Sequence, residues 1–205
     1  MQRLAGSALI AYDTNCLVYY CFYVEIPESN PKVFITVRQT DQARAVTEHL
    51  VSHQQKVATI EAAYGELKNC IYEAVEARMT DREVEKLLGY PQGAKVHDQR
   101  KLQVQQSVER KARKLENKSW FVLDREYEAN PPTMARLQHF FNSQDVAKFG
   151  KSKRPGIVDM QLVDFSLQRQ APLVTNDRGI SNLSAELSAA GLGHDIYNLM
   201  DLRVS

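Results

Sequence analysis

Cysteine is scarce in this chain of 205 residues: Cys16, Cys21 and Cys70 are the whole complement, in no CxxC or Cys/His spacing. An odd, unpatterned set argues against a disulfide framework and a zinc site and suits a reducing compartment, with the three thiols serving as small buried apolar residues. Histidine adds no metal motif, since His49, His53, His97, His139 and His194 are scattered and none is read as having a partner at ligand spacing. No window reaches the roughly 18 uninterrupted apolar residues of a membrane span. The apolar run Ala8 to Val24 is broken by Asp13 and Asn15 and no small-residue cleavage site follows, so it does not read as a signal peptide. Neither sign of charge is in excess: 26 Lys and Arg stand against 25 Asp and Glu, a net charge of +1. Bulk polyelectrolyte attraction is thereby excluded, and any nucleic-acid contact has to come from local clusters. Internal repeats and low-complexity tracts are absent. The expectation is a cytoplasmic protein with no membrane association.

What is present follows an α/β rhythm. Ser7 to Tyr12 is a continuous apolar run, as expected of a central parallel strand covered on both faces, and it runs into Asp13-Thr14-Asn15. The apolar, helix-like run Cys16 to Tyr23 follows at once, so Asp13 is trapped between two buried elements and needs partners, of which a cation is one kind. Val33 to Val37 reads either as a short strand or as the entry to the next helix, and Asp41 to Gln54 as that helix. Lys56 to Ile60 is a second strand and Glu61 to Ala74 a helix with a core stripe of Ala63, Leu67, Cys70, Ile71 and Ala74. Glu66 lies roughly 100° around from Leu67, at the flank of that stripe. Glu61 competes with it for a place at the strand end, and a plain solvated glutamate is the ordinary alternative for either.

Near the C-terminal side, Pro155 to Ile180 (PGIVDMQLVDFSLQRQAPLVTNDRGI) places two acids at defined positions. Pro155 suits a first helical residue, and the apolar positions after it fall on two sides of a helix, Met160, Val163 and Leu167 on one and Val158, Leu162 and Phe165 on the other. Leu173 to Thr175 is a short strand ending at Asn176-Asp177 and a Gly179 turn, so Asp177 sits at a strand's carboxyl end, the rim where open α/β sheets bind ligands. Asp164, five residues after Asp159, is rotated about 140° from it and reads as a structural or surface acid. Leu183 to Ala190 is a helix and Asp195 to Leu199 a last strand. The whole is expected to be one α/β domain over residues 1–205, with a mostly parallel sheet and a helical insertion at about 78–145.

That insertion is charged, with a break at Gly89 to Gly93, eight Lys/Arg against three Asp/Glu from Lys95 to Lys118, and a thin apolar stripe of Val104, Val108 and Leu115. It reads as a solvated helical hairpin or, in the sharper alternative, as a ramp facing phosphate. Trp120 to Leu123 is a candidate strand and Pro131-Pro132 opens a helix. A second basic cluster, Lys148, Lys151, Lys153 and Arg154, leads directly into the helix of Asp159 and is the candidate substrate-contacting loop.

In a doubly wound sheet the strand ends share one rim, which the first turns of the following helices also reach. Asp13, Glu66, Asp159 and Asp177 can therefore converge, and four carboxylates together repel one another unless a hard divalent cation, Mg²⁺ or Mn²⁺, neutralises them. Here the sequence resembles the PIN-domain nucleases, on LIAYDTNCLVYY, on ATIEAAYGEL and above all on IVDMQLVDFSLQRQAPLVTNDRGI, in which an aspartate opening a helix is followed 18 residues later by that of a strand-ending T-N-D. The resemblance covers about 7–77 and 155–200. It implies a three-layer α/β/α fold and metal-dependent hydrolysis of RNA to a 5′-phosphate and a 3′-hydroxyl, with Asp13, Glu66, Asp159 and Asp177 as the acidic quartet and Asn15, Thr175 and Asn176 in support. It also implies an RNA substrate, and it leaves the cellular role open between a toxin with a small antitoxin-like partner and an RNA processor, with a homodimer as a further expected assembly. The segment 78–145 departs from small members of that family. A non-catalytic RNA-binding or scaffold protein on the same fold is the rival reading. A phosphatase of similar layering lacks its D-x-D pair, since Thr14-Asn15 follow Asp13.

Overall fold

The computed structural model describes residues 4, 6–25, 36–76, 94–145, 149 and 154–204. Five strands make one parallel sheet: β1 (Leu9–Tyr12), β2 (Lys56–Ile60), β3 (Phe121–Asp124), β4 (Leu173–Thr175) and β5 (Ile196–Asn198), in the order β3-β2-β1-β4-β5. From β1 the chain steps outward through β2 to β3, then crosses back to the other side of β1 for β4 and β5. The reversal makes β1 and β4 the switch point of the sheet, where neighbouring crossovers leave on opposite faces and a crevice opens at the strand ends.

Side-chain alternation divides the core in two. Ile10, Tyr12, Val57, Phe121 and Val174 point to one face. There they meet α1 (Thr14–Val24), α2 (Val37–Ser52), α3 (Glu61–Glu76) and α4 (Ala94–Glu116). Ala11, Ala58, Ile60, Leu173 and Ile196 point to the other. They are covered by α5 (Pro131–Ser143), α6 (Ile157–Arg169), α7 (Arg178–Ser181) and α8 (Ser184–Ala189), together with Phe149. This is the expected three-layer α/β/α arrangement. Among the described residues no helix is long and apolar enough to cross a membrane.

Several boundaries move for local reasons. Helix α2 begins at Val37 rather than near Asp41 because Thr36 caps it: the Thr36 hydroxyl accepts from the Gln39 N–H at 3.2 Å, and the Gln39 side chain accepts the Thr36 N–H at 2.8 Å. Val37 is thus helical, and 33–35 lie outside the described residues. Pro155 is not the first residue of α6; Gly156 is its N-cap and Ile157 opens it. The last strand is shorter than Asp195 to Leu199, because the Asn198 side chain accepts the Met200 N–H at 3.0 Å and turns the chain into a 3₁₀ turn at Leu199–Asp201.

The segment read as a helical insertion contributes a strand. Residues 57–60 pair with Phe121–Asp124 along the whole of β3, which forms one edge of the sheet. Helix α4 packs on α3 through Val104, Val108, Ala112 and Leu115, all buried, so the thin apolar stripe is a core face. The Gly89 to Gly93 break falls outside the described residues.

Candidate carboxylate site at the sheet switch point

Asp13 follows β1 and is the N-cap of α1, with 3% of its surface exposed. Its backbone N–H still pairs with β4, donating to the Val174 carbonyl at 3.0 Å, so it is fixed as firmly as a strand residue. The Thr175 hydroxyl donates to Asp13 Oδ2 at 2.8 Å and itself accepts the Asp177 N–H at 2.9 Å. One hydroxyl therefore laces the ends of β1 and β4 together and sets where the chain turns toward Asp177. Asn15 adds a longer bond, its amide 3.4 Å from Asp13 Oδ2. Burial pushes the Asp13 carboxyl above its ordinary range; the Thr175 and Asn15 bonds oppose this, and the neighbouring Asp177 charge adds to it.

Asp177 caps the short α7: its Oδ1 accepts the Gly179 N–H at 2.6 Å. Gly179 is needed there, because a Cβ at that position would lie 3.0 Å from both Asp177 Oδ1 and Phe149 Cδ1. Asp159, in the first turn of α6, is oriented in a similar way, its Oδ2 accepting the Gly156 N–H at 2.7 Å. Its carboxyl is pushed up to about 7, first by burial and then by the Asp13 charge, with Asp177 and Glu66 adding and the Gly156 N–H opposing. Three acids from three other elements thus act on Asp159.

Helix α3 supplies the fourth. Glu66 accepts the Thr14 hydroxyl at 2.9 Å, whereas Glu61 is turned to Arg125, Nε to Oε1 3.4 Å. Of the two, Glu66 is the one whose charge acts on Asp159. The Asn176 amide donates to the Tyr19 hydroxyl at 3.0 Å, tying the Thr175–Asp177 turn to α1. Among the described residues no group of three His, Cys, Asp or Glu side chains is placed to hold a metal ion, so the four acids are electrostatic neighbours rather than a closed ligand cage. Nor, among those residues, does a Lys or Arg pair with any of the four.

The basic clusters fare differently. Lys148, Lys151 and Lys153 lie outside the described residues; Arg154 is exposed and donates to the Asn142 carbonyl at 3.3 Å. On α4 and just after it, Lys114 and Lys118 stand 3.8 and 3.5 Å from the Glu25 carboxylate, which is 4% exposed, and Lys111 donates to the Glu25 carbonyl at 3.3 Å. Those three lysines face a buried acid and the carbonyl end of α1. Asp164 is structural: fully buried, it receives the Tyr127 hydroxyl, the Asn130 N–H and the Gln168 amide on Oδ2 at 2.8, 2.9 and 2.8 Å.

Three contributors were not singled out from sequence: Thr14, Tyr19 and the Gly156 N–H. Thr14 carried a signal, lying inside the Asp-Thr-Asn triplet; Tyr19 and Gly156 carried none, since their roles depend on what packs beside them. No family model matches this chain, and no curated protein matches it.

Proposed function

We propose that this chain is a divalent-cation-dependent ribonuclease of the PIN-like kind, acting on RNA in the cytoplasm. The observation that carries the reading is Asp159, a carboxyl held near neutrality by burial and by three neighbouring carboxylates from separate elements at the sheet switch point. A fold does not gather mutually repelling acids at a ligand-binding rim for stability, and hard oxygen donors without nitrogen or sulfur suit Mg²⁺ or Mn²⁺.

Asp13, Asp159, Asp177 and Glu66 are the residues that would hold one or two such ions. When bound, a divalent cation supplies Lewis-acid activation of water and of the phosphodiester. The protein's part is orientation. Thr175 fixes one oxygen of Asp13, the Gly156 N–H one oxygen of Asp159 and the Gly179 N–H one oxygen of Asp177. Each carboxylate has a second oxygen and further lone pairs for another ligand. Hydrolysis in this site leaves a 5′-phosphate and a 3′-hydroxyl. The basic residues Lys148, Lys151, Lys153 and Arg154, immediately before α6 in the chain, are the proposed contacts to the RNA backbone.

Asp13→Asn and Asp177→Asn are expected to abolish Mn²⁺-dependent cleavage of single-stranded RNA, a loss of at least ~10²-fold, while circular dichroism shows an intact fold. Cleavage by both variants at the wild-type rate, or undiminished cleavage in EDTA, refutes the proposal. RNA binding that survives EDTA without cleavage of any RNA would assign the fold to a non-catalytic RNA-binding protein instead.

A further inference from the structure

We infer that Thr14 is the positioning residue for Glu66, holding an otherwise solvent-facing carboxylate at the acidic site; the inference rests on the cation-site reading above. Glu66 is exposed on α3, and a glutamate there has several rotamers available to it. Its one hydrogen bond from the described residues comes from the Thr14 hydroxyl at 2.9 Å, across 52 positions of sequence. Thr14 itself is 7% exposed and β-branched, which restricts its χ1, and it directly follows Asp13 in the first turn of α1. A rigid donor one residue from Asp13 therefore sets where the Glu66 carboxylate lies relative to Asp13.

A second observation shows that this choice is specific. The α3 helix offers two acids at its start, and the other, Glu61, is drawn off by Arg125, which also bonds Glu116 at 2.9 Å. The Thr14 hydroxyl also lies 3.4 Å from the Ala63 carbonyl, and a hydroxyl has one proton. With Glu66 absent or swung out, the proton has Ala63 as its remaining partner, so the loss of Glu66 leaves Thr14 satisfied while the loss of Thr14 leaves Glu66 untethered. The dependence runs one way, as expected of a positioning residue and its client.

The test uses the full chain and Mn²⁺ alone, read by calorimetry, with Thr14→Val, Thr14→Ser, Glu66→Gln and the double variant Thr14→Val/Glu66→Gln. Thr14→Val is expected to weaken Mn²⁺ binding roughly tenfold, the scale found for groups that orient metal ligands, and Thr14→Ser, which keeps the hydroxyl, to restore it. The double variant should bind no more weakly than Glu66→Gln alone, because the effect of Thr14 passes through that carboxylate. In the metal-free protein, NMR relaxation should show the Glu66 side chain ordered in the wild type and Thr14→Ser and averaged in Thr14→Val. Wild-type affinity in Thr14→Val, equal loss in Thr14→Ser, or additive loss in the double variant overturns the inference while leaving the cation site standing. A wild type that binds no Mn²⁺ overturns the site reading itself, and the inference with it.

Discussion

Helix α6 carries two aspartates, one in its first turn and one at its middle, in opposite surroundings. Asp164, in the buried half, is met by three donors on one oxygen. Asp159, at the rim, is met by one backbone N–H and three acids. The same residue type on the same helix is structural where donors converge on it and a candidate ligand where other carboxylates do. Burial does not separate them, since the structural acid is the more buried of the pair. What surrounds them does: neutral hydrogen-bond donors at Asp164, other carboxylates at Asp159.

The comparison breaks most visibly at Asp164. Asp164→Ala leaves the Tyr127 hydroxyl, the Asn130 N–H and the Gln168 amide without their acceptor. A loss of about 2–4 kcal/mol in chemical denaturation is expected from the stranded donors, with cleavage per folded molecule unchanged. Activity lost ahead of stability would put Asp164 in the site.

Asp159 should make the stability of the metal-free protein depend on pH. Its folded carboxyl is pushed up to about 7 from an ordinary value of 3.8. Between these two values the folded state holds a proton that the unfolded state has released. Stability therefore falls as pH rises from about 4 to about 7 and levels off above. After a discount for partial exposure the drop is of order 2 kcal/mol, and Asp159→Asn should flatten that part of the curve. A metal-free wild type that gains stability across this window, with no difference in Asp159→Asn, would remove Asp159 from the acidic set.

A smaller effect sharpens the geometry. In Gly179→Ala the new Cβ meets Asp177 Oδ1 and Phe149 at 3.0 Å each. A cost of about 1 kcal/mol is expected from the overpacking, accompanied by weaker Mn²⁺ binding as the Asp177 carboxylate is pushed aside. A stability loss with Mn²⁺ affinity unchanged would show that Phe149, not Asp177, gives way.

Much of the fold was legible because it rests on periodicity. The apolar run before Asp13, the two-sided helix 157–169 and the short strand Leu173–Thr175 each announce themselves by pattern, and the acids Asp13, Asp159 and Asp177 by their place at the ends of those patterns. Asp164 was separable from Asp159 by helical rotation alone. Periodicity alone leaves the start of α2 open between strand and helix entry, because its cap is a side-chain bond between Thr36 and Gln39 rather than an apolar repeat. The strand Phe121–Asp124 was legible as the candidate Trp120 to Leu123, but its membership of the sheet is a matter of pairing with β2, which no local pattern displays.

The sequence by itself thus determined the elements and which acids stand at their ends, since both follow from local spacing and the fixed geometry of helix and strand. Only the tertiary structure decided that β1 and β4 lie side by side, that Thr175 laces Asp13 to the Asp177 turn, and that Glu66 rather than Glu61 faces the site. Each of those outcomes depends on a partner tens to more than a hundred residues away. Through-space electrostatics and hydrogen bonding have no period that a sequence can display.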